Sequence, residues 1–283
     1  MISPLQEAAA VGQPWALRDL PPFPWITTKV LQLYSEEGEE LDISRLNDLI
    51  RSDASISSEI LRRANSAMFG LRSEVGSIER AITMLGLDRV QSLAMTVGLG
   101  SYVKVALRVA VLRRCWRHSL GCALLAEELA EACEVRPDQA YTAGLLHDVG
   151  RLALLVKYPE SYADLLSVVM ENGFCVPQGE RDLFDIDHCE AGAWLAEEWA
   201  FPPSLVQAIG SHHQPSEAQY PSLPRLVGLA CRMADCLGFA AFDPLVPENP
   251  QDVLMHLPRS VQLQPEDLEE MRLRVNEKVN ALE

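Results

Sequence analysis

The sequence predicts an all-α fold of roughly a dozen helices. Apolar residues recur at spacings of three and four along most of the 283-residue chain, which is the pattern of amphipathic helices. Prolines and capping residues precede many of these periodic segments, and glycines or prolines follow them. Convincing alternation of apolar and polar residues, the pattern of half-buried strands, is absent from the sequence. A mixed fold containing a sheet is therefore the weaker alternative.

The first half of the chain contains four periodic segments. In LPPFPWITTKVLQLYSEE, prolines come before a stripe that includes Ile26 and Val30. The next segment, DISRLNDLIRSD, also places its apolar residues on one stripe. The segments SISSEILRRANSAMFG and SIERAITMLGLDRVQSLAM repeat the pattern, and we expect the first to end at Gly70 and the second to bend at Gly86.

Helical periodicity continues through the second half. The tract 101–133 is long enough for two helices, and RPDQAYTAGLLHDVGRLALLVKY follows with Pro137 near its start. The segment ESYADLLSVVMENG stops at Gly173, and DHCEAGAWLAEEWAF carries Asp187 and Glu190 at the spacing of a capping box. The remaining helices are predicted in PSLVQAIGSHH, in LPRLVGLACRMADCLGF and in a charged segment from about Pro265.

The charge of the chain is negative overall but unevenly distributed. The net charge of −16 argues against extensive nucleic-acid binding. Residues 45–117 carry 12 basic and 6 acidic side chains, a local excess of +6. We interpret this block as solvated helix faces, and docking of an anion or of an acidic partner is the alternative.

The cysteines and the hydropathy pattern indicate a cytoplasmic protein. Seven cysteines without a C-x-x-C pair fit neither a disulfide framework nor a zinc ribbon. The first residues lack the basic region of a secretory signal, and no uncharged apolar stretch reaches the roughly 18 residues of a membrane span. We therefore expect reduced thiols and no membrane-spanning segment.

Most histidines fall on or beside predicted helices of the second half. A lone histidine in a helix is usually a hydrogen-bonded structural residue, but facing helices are also where bundles build metal sites. Five histidines and two aspartates share this region and form the candidate metal ligands: His118, His147, Asp148, His188, His212, His213 and Asp235. The joint pattern favours a metal site.

The ligand types narrow the choice of metal. Imidazole and carboxylate together suit iron, manganese, nickel or zinc, and the lack of well-spaced cysteines argues against a thiolate site. Seven groups exceed the needs of one tetrahedral ion and suffice for two divalent ions bridged by Asp148. Cys122 follows His118 by four residues on the same helix face, but we interpret it as core packing.

Several phrases resemble a known family. RHS, LLHDVGRL, DHCEAGAWLAEEWAFP, GSHHQP and RMADCLG are similar to motifs of the HD superfamily of metal-dependent phosphohydrolases, and within it to the HDOD family. ILRRANSAMFG and AITMLGLDRVQSLA resemble the helical block that precedes the HD-like core in HDOD proteins. The resemblance covers about residues 18–240. It implies an extension 1–17, a helical part 18–105, an HD-like core 106–240, and a Pro-rich segment and helix over 241–283.

The resemblance also implies roles for individual residues. His118, His147, Asp148 and Asp235 occupy the positions of the H…HD…D motif. The remaining three histidines fall where related HD-GYP phosphodiesterases place the ligands of a second metal. Arg151 stands in place of the HD-GYP lysine, and WAFP replaces the GYP signature, so specificity for cyclic dinucleotides is not implied.

Two function classes follow. HDOD domains are associated with bacterial signal transduction, which implies a regulatory protein that relays a signal to a sensor kinase, a response regulator or a cyclase-type module. The alternative is a metal-dependent phosphohydrolase or phosphodiesterase acting on a nucleotide or cyclic nucleotide. In that case Asp148 would hold the metal for catalysis, and Arg151 would bind a phosphate-containing ligand unless it is merely an exposed helix arginine.

A third hypothesis is direct DNA binding. SIERAITMLGLDRVQSLA has the length of a helix-turn-helix with Gly86 in its turn, and it lies within the basic block. The acidic remainder of the chain makes this the least favoured reading.

Overall fold

The computed structural model describes residues 13–35, 43–71, 73–173, 175–214, 221–242, 248–258 and 264–283. These residues form fifteen α-helices joined by short helical turns and loops, and they include no strand, which confirms the all-α prediction. No helix in the described part is both long and apolar enough to cross a membrane. Residues 1–12 of the predicted extension and 243–247 of the Pro-rich segment lie outside the described residues, and the predicted domain boundaries stay a prediction.

Five helices form the N-terminal block, and Ile26, Val30 and Ile50 are among its buried residues. The helix expected to end at Gly70 ends earlier, at Ala64, and Gly70, with a positive φ of 57°, follows a separate short helical turn. Gly86 separates two helices where a bend was expected. The helices are α1 (Trp25–Ser35), α2 (Ile43–Arg51), α3 (Ala54–Ala64), α4 (Ile78–Leu85) and α5 (Leu87–Val103).

The burial of α5 is evidence against DNA binding by the segment that resembles a helix-turn-helix. A recognition helix must present a polar face to the major groove. In α5, every side chain from Val90 to Leu99 is buried, because the helix packs against α1, α3 and α4. The segment that resembles a helix-turn-helix is therefore part of the core.

Eight helices form the part of the chain that the resemblance identifies as the HD-like core. Helix α6 lies at its centre and packs against α7 and α13, while α11 packs against α8 and α12. The helices are α6 (Ala110–Ala130), α7 (Pro137–Leu146), α8 (Val149–Lys157), α9 (Pro159–Asn172), α10 (Val176–Phe184), α11 (His188–Glu198), α12 (Pro203–Ser211) and α13 (Leu223–Ala234). As predicted, a helix begins at Pro137, another is capped at its C-terminus by Gly173, and Asp187 and Glu190 form a capping box.

The segment predicted as one helix after Pro137 is in fact two. Helix α7 ends at Leu146 and α8 begins at Val149, because Asp148 has non-helical backbone angles, with φ −98° and ψ 20°. The break changes the direction of the chain between two neighbouring polar residues. Periodicity alone could not show it, because apolar residues continue on both sides.

The C-terminal helices complete the fold. These are α14 (Pro250–Leu254) and α15 (Pro265–Leu282), and α15 packs against α6 through the buried Val275, Val279 and Leu282. Arg274 also bonds Glu128 of α6 across 3.2 Å. The C-terminal helix is therefore part of the packed core of this chain.

Close contact between α8 and α11 depends on Gly150. A Cβ atom at this position would overlap the carbonyl oxygen of His188 and the backbone nitrogen of Gly192. Neither backbone atom can move without shifting α11, so packing accounts for the glycine.

We expect Gly150→Ala to lower the free energy of unfolding by about 1–3 kcal/mol, because the added methyl group overpacks this contact. Chemical denaturation monitored by circular dichroism measures the change. Gly100→Ala is the matched control, because Gly100 is also helical and its Cβ would meet only Trp116, at 3.5 Å. That variant should keep or gain stability, and equal effects of the two substitutions would contradict the packing argument.

Candidate metal centre

Five of the predicted ligands converge inside the HD-like core. His118 lies in the middle of α6, His147 and Asp148 lie at the break between α7 and α8, His188 begins α11, and His212 follows α12. Each of the five is at most 4% exposed. Helices far apart in sequence therefore bring their polar side chains to one buried place, as the sequence predicted.

In three of the buried histidines, Nδ1 forms a hydrogen bond with a backbone carbonyl. Nδ1 of His118 lies 3.0 Å from the carbonyl oxygen of Phe239, and Nδ1 of His147 lies 2.7 Å from that of Gly144. Nδ1 of His212 lies 2.8 Å from the carbonyl oxygen of Ile209. A carbonyl can only accept, so each Nδ1 must donate a proton, and a neutral ring then has its lone pair on Nε2. The Nε2 atoms are thus the free ligand atoms.

His188 is oriented by a carboxylate instead. Its Nδ1 lies 2.5 Å from Oε2 of Glu180, which also accepts the backbone N–H of His188 at 3.0 Å. Glu180 is fully buried and accepts a hydrogen bond from Tyr162 as well. Burial would raise the pKa of Glu180, but the charge of His188 and these hydrogen bonds hold it below its ordinary value. Carboxylate–imidazole pairs of this kind commonly support metal ligands.

Asp148 lies between the imidazoles and has no hydrogen-bond donor. Its Oδ1 is 3.6 Å from Nε2 of His188 and 3.5 Å from Nε2 of His212, and its Oδ2 is 3.7 Å from Nε2 of His147. Both oxygens are buried and neither forms a hydrogen bond. Burial disfavours the charged form, but the charges of Arg151 and the imidazoles hold the pKa of Asp148 well below its usual range. Protonated imidazoles supply this positive charge in the absence of a metal, and when the rings are neutral the carboxylate and the Nε2 lone pairs form a donor set that fits a metal cation.

Two cysteines join the histidines on one side of Asp148. The Sγ atoms of Cys122 and Cys231 each lie 3.5 Å from Nε2 of His118, and Nε2 of His147 lies 3.3 Å from the same atom. These four residues form the first ligand group, and all are buried. The sequence indicates core packing for Cys122 and argues against thiolate ligands, so it does not predict this group. The available signals were the four-residue spacings of Cys122 from His118 and of Cys231 from Asp235.

The second ligand group lies on the other side of Asp148 and consists of His188, Cys189, His212 and His213. Nε2 of His213 is 3.0 Å from Nε2 of His188, and Sγ of Cys189 is 3.8 Å from Nε2 of His212. His213 is exposed, whereas the other three are buried. This group therefore reaches the surface, and the first group does not.

Asp235 lies beside the cluster and not within it. Its Oδ1 is 3.5 Å from Nδ1 of His118, on the side of the ring opposite the first ligand group, and its side chain is 39% exposed. Burial of part of the side chain raises the pKa of Asp235 to about 7. Cys231, one helical turn earlier, faces the imidazoles instead. The resemblance placed Asp235 among the ligands, whereas the structure places it at the rim.

Arg151 is buried against Asp148. It is 2% exposed, its Nε lies 3.3 Å from Oδ2 of Asp148, and one terminal nitrogen lies 3.0 Å from Nε2 of His188. The ring of Phe242 covers the guanidinium at 5.3 Å. The reading of Arg151 as an exposed helix arginine is therefore wrong. Its positive charge partly compensates the carboxylate of Asp148.

A protein-family model and a relative of known sequence match this chain. The model of the HDOD domain family matches residues 20–215. An uncharacterized protein of Treponema pallidum is 28% identical over 196 residues, which are 67% of this chain and 37% of that protein. The chain thus spans little more than a third of that relative.

Solved structures share the fold. An HDOD domain protein of unknown function from Geobacter sulfurreducens superposes with a TM-score of 0.71 at 24% identity, covering 92% of this chain and 93% of the other. A "putative phosphohydrolase" from Shewanella amazonensis superposes with a TM-score of 0.72 at 24% identity, covering 96% of this chain and 99% of the other. A "putative signal transduction protein" from Marinobacter aquaeolei superposes with a TM-score of 0.70 at 23% identity, covering 93% of this chain and 58% of the other.

We expect Arg151→Met to destabilise the metal-free protein by about 3–5 kcal/mol, because it leaves the buried Asp148 without a compensating charge. Denaturation in the presence of a chelator measures this effect. The double variant Arg151→Met, Asp148→Asn should recover much of the loss. Arg89→Met, at an exposed position of α5, serves as the control and should change stability by less than about 0.5 kcal/mol. Equal losses in the single and double variants would contradict the charge argument.

Proposed function

This chain belongs to the HDOD family, and from that premise we propose that it is a regulatory protein of bacterial signal transduction. In this proposal a divalent metal binds within its HD-like core, and the metal-bound protein relays a signal to a protein partner. The partner would be a sensor kinase, a response regulator or a cyclase-type module. A solved structure of the same fold carries the name of a signal transduction protein, which agrees with this assignment.

The burial of the ligands is the observation that carries the proposal. The five converging ligands are at most 4% exposed, and Arg151 fills the space beside Asp148. A catalytic metal needs a coordination position that substrate can reach, whereas a structural metal is enclosed by protein ligands. The enclosed arrangement favours a metal that stabilises one state of the core.

Metal binding would couple directly to helix packing. The ligands come from α6, from the break between α7 and α8, from α11, from α13 and from the residues after α12. Because a site assembled from separate helices exists only in the folded core, the binding free energy contributes to the stability of that arrangement. Gain or loss of the ion would then change the surface that these helices offer to a partner.

The second candidate function is a metal-dependent phosphohydrolase acting on a nucleotide or cyclic nucleotide. The exposed His213 and the partly exposed Asp235 favour it, because they connect the buried ligands to the surface where a phosphate-containing ligand would approach. When bound, a metal would supply an activated hydroxide and neutralise phosphoryl charge. Asp148 would hold the metal, and Arg151 would have to leave Asp148 in order to bind phosphate.

Metal content and turnover of the purified protein distinguish the two functions. We expect the protein prepared without chelator to contain a divalent metal and to hydrolyse none of a panel of phosphodiesters and nucleotides. Asp148→Ala should lower the metal content, because it removes the carboxylate between the two ligand groups, while Asp164→Ala, at an exposed position of α9, should leave the metal content unchanged. Turnover that is present in the wild-type protein and absent in Asp148→Ala would instead establish the hydrolase.

A further inference from the structure

We propose that His118, Cys122, His147 and Cys231 form a closed, four-coordinate site for a thiophilic divalent metal of the Zn²⁺ type. The inference rests on the proposed function only in assuming that the core binds a metal. It changes the chemistry of the site, because the sequence indicated nitrogen and oxygen ligands alone. Thiolate ligands select zinc or iron over manganese and magnesium.

The distances between the ligand atoms agree with a tetrahedron. Bonds of about 2.05 Å to nitrogen and 2.3 Å to sulfur, at tetrahedral angles, place two nitrogens about 3.35 Å apart and a nitrogen and a sulfur about 3.55 Å apart. The observed separations are 3.3 Å between the two Nε2 atoms and 3.5 Å from Nε2 of His118 to each sulfur. All four ligand atoms lie within 4.8 Å of one another.

The tautomers of the two histidines provide an independent reason. His118 and His147 both donate Nδ1–H to a backbone carbonyl, so in the neutral rings both Nε2 atoms carry lone pairs. These lone pairs face each other across 3.3 Å, which is repulsive unless a proton or a cation lies between them. A metal ion satisfies both nitrogens and the two sulfurs at the same time.

The helices that carry these residues are held together by extensive packing. His118 and Cys122 are one turn apart on α6, His147 follows the last residue of α7, and Cys231 lies on α13. Helix α6 packs against both α7 and α13. Close approach is possible because Gly144 lies against α6, where a Cβ would be 2.7 Å from the carbonyl oxygen of Cys122. The site would therefore join the three central helices of the core.

A closed set of four protein ligands determines what the metal can do. It leaves no coordination position for water, so this ion would stabilise the core and would not generate a nucleophile. Two thiolates would also balance the charge of a divalent ion, and the neutral complex suits a site whose residues are at most 3% exposed.

Cobalt substitution tests the thiolate ligands by spectroscopy. We expect the Co²⁺-loaded full chain to show a sulfur-to-cobalt charge-transfer band and the intense visible bands of tetrahedral cobalt. Cys122→Ser and Cys231→Ser should each weaken or abolish the charge-transfer band. Cys133→Ser, which replaces a buried thiol outside both groups, is the control and should retain it. Cys189→Ser, which replaces the thiol of the second group, shows whether that group contributes to the band.

X-ray absorption of the zinc-loaded wild-type protein tests the same ligands without a substitution, in case the serine variants fail to fold. A sulfur shell at about 2.3 Å supports the site. A shell of nitrogen and oxygen alone, or a cobalt band that disappears only in Cys189→Ser, overturns it and leaves the proposed function standing. A protein that binds no metal overturns both.

Discussion

The ionised carboxylate of Asp148, buried without a hydrogen-bond donor, is the interaction on which the rest of this core depends. An unpaired charge in such a place costs several kcal/mol or more, so the surrounding helices must supply positive charge. Arg151 supplies part of it from the first turn of α8. The break between α7 and α8 places Asp148 where the imidazoles surround it, and Gly150 lets α11 bring His188 close enough to take part.

The orientation of the ligands depends on backbone outside the site. The carbonyl that accepts Nδ1–H from His118 belongs to Phe239, which follows Gly238 in a short π-helical turn. Gly238 has a φ of 89°, a conformation that L side chains rarely adopt. That turn places Asp235 at the rim and directs the Phe239 carbonyl toward the ring. The tautomer of His118, and with it the nitrogen that is available to a metal, is thus determined by a turn more than one hundred residues further along the chain.

Local signals explain what the sequence predicted well. Caps, helix starts and helix ends depend on neighbours within one turn, so Pro137, Gly173 and the Asp187–Glu190 box were readable from the sequence. The convergence of the histidines was predictable from residue type together with the resemblance. For Cys231 the spacing from Asp235 was a signal, but its contact with His118 was not predictable, because the contact joins residues 113 positions apart and depends on how α13 is rotated about its axis. Asp235, in the turn that follows α13, lies instead at the other ring nitrogen of His118.

Charge balance and exposure together distinguish the two ligand groups. Two thiolates would neutralise a divalent ion in the first group, which is why that group can be closed and fully buried. The second group has three imidazoles and a single cysteine, and the Asp148 carboxylate that it shares is already paired with Arg151. The Cys189 thiolate and the Glu180 carboxylate beside His188 would together balance a divalent ion there, but the exposed His213 keeps this group at the surface. An ion in the first group would therefore be enclosed by the helices that it joins, whereas an ion in the second group would lie within reach of solvent.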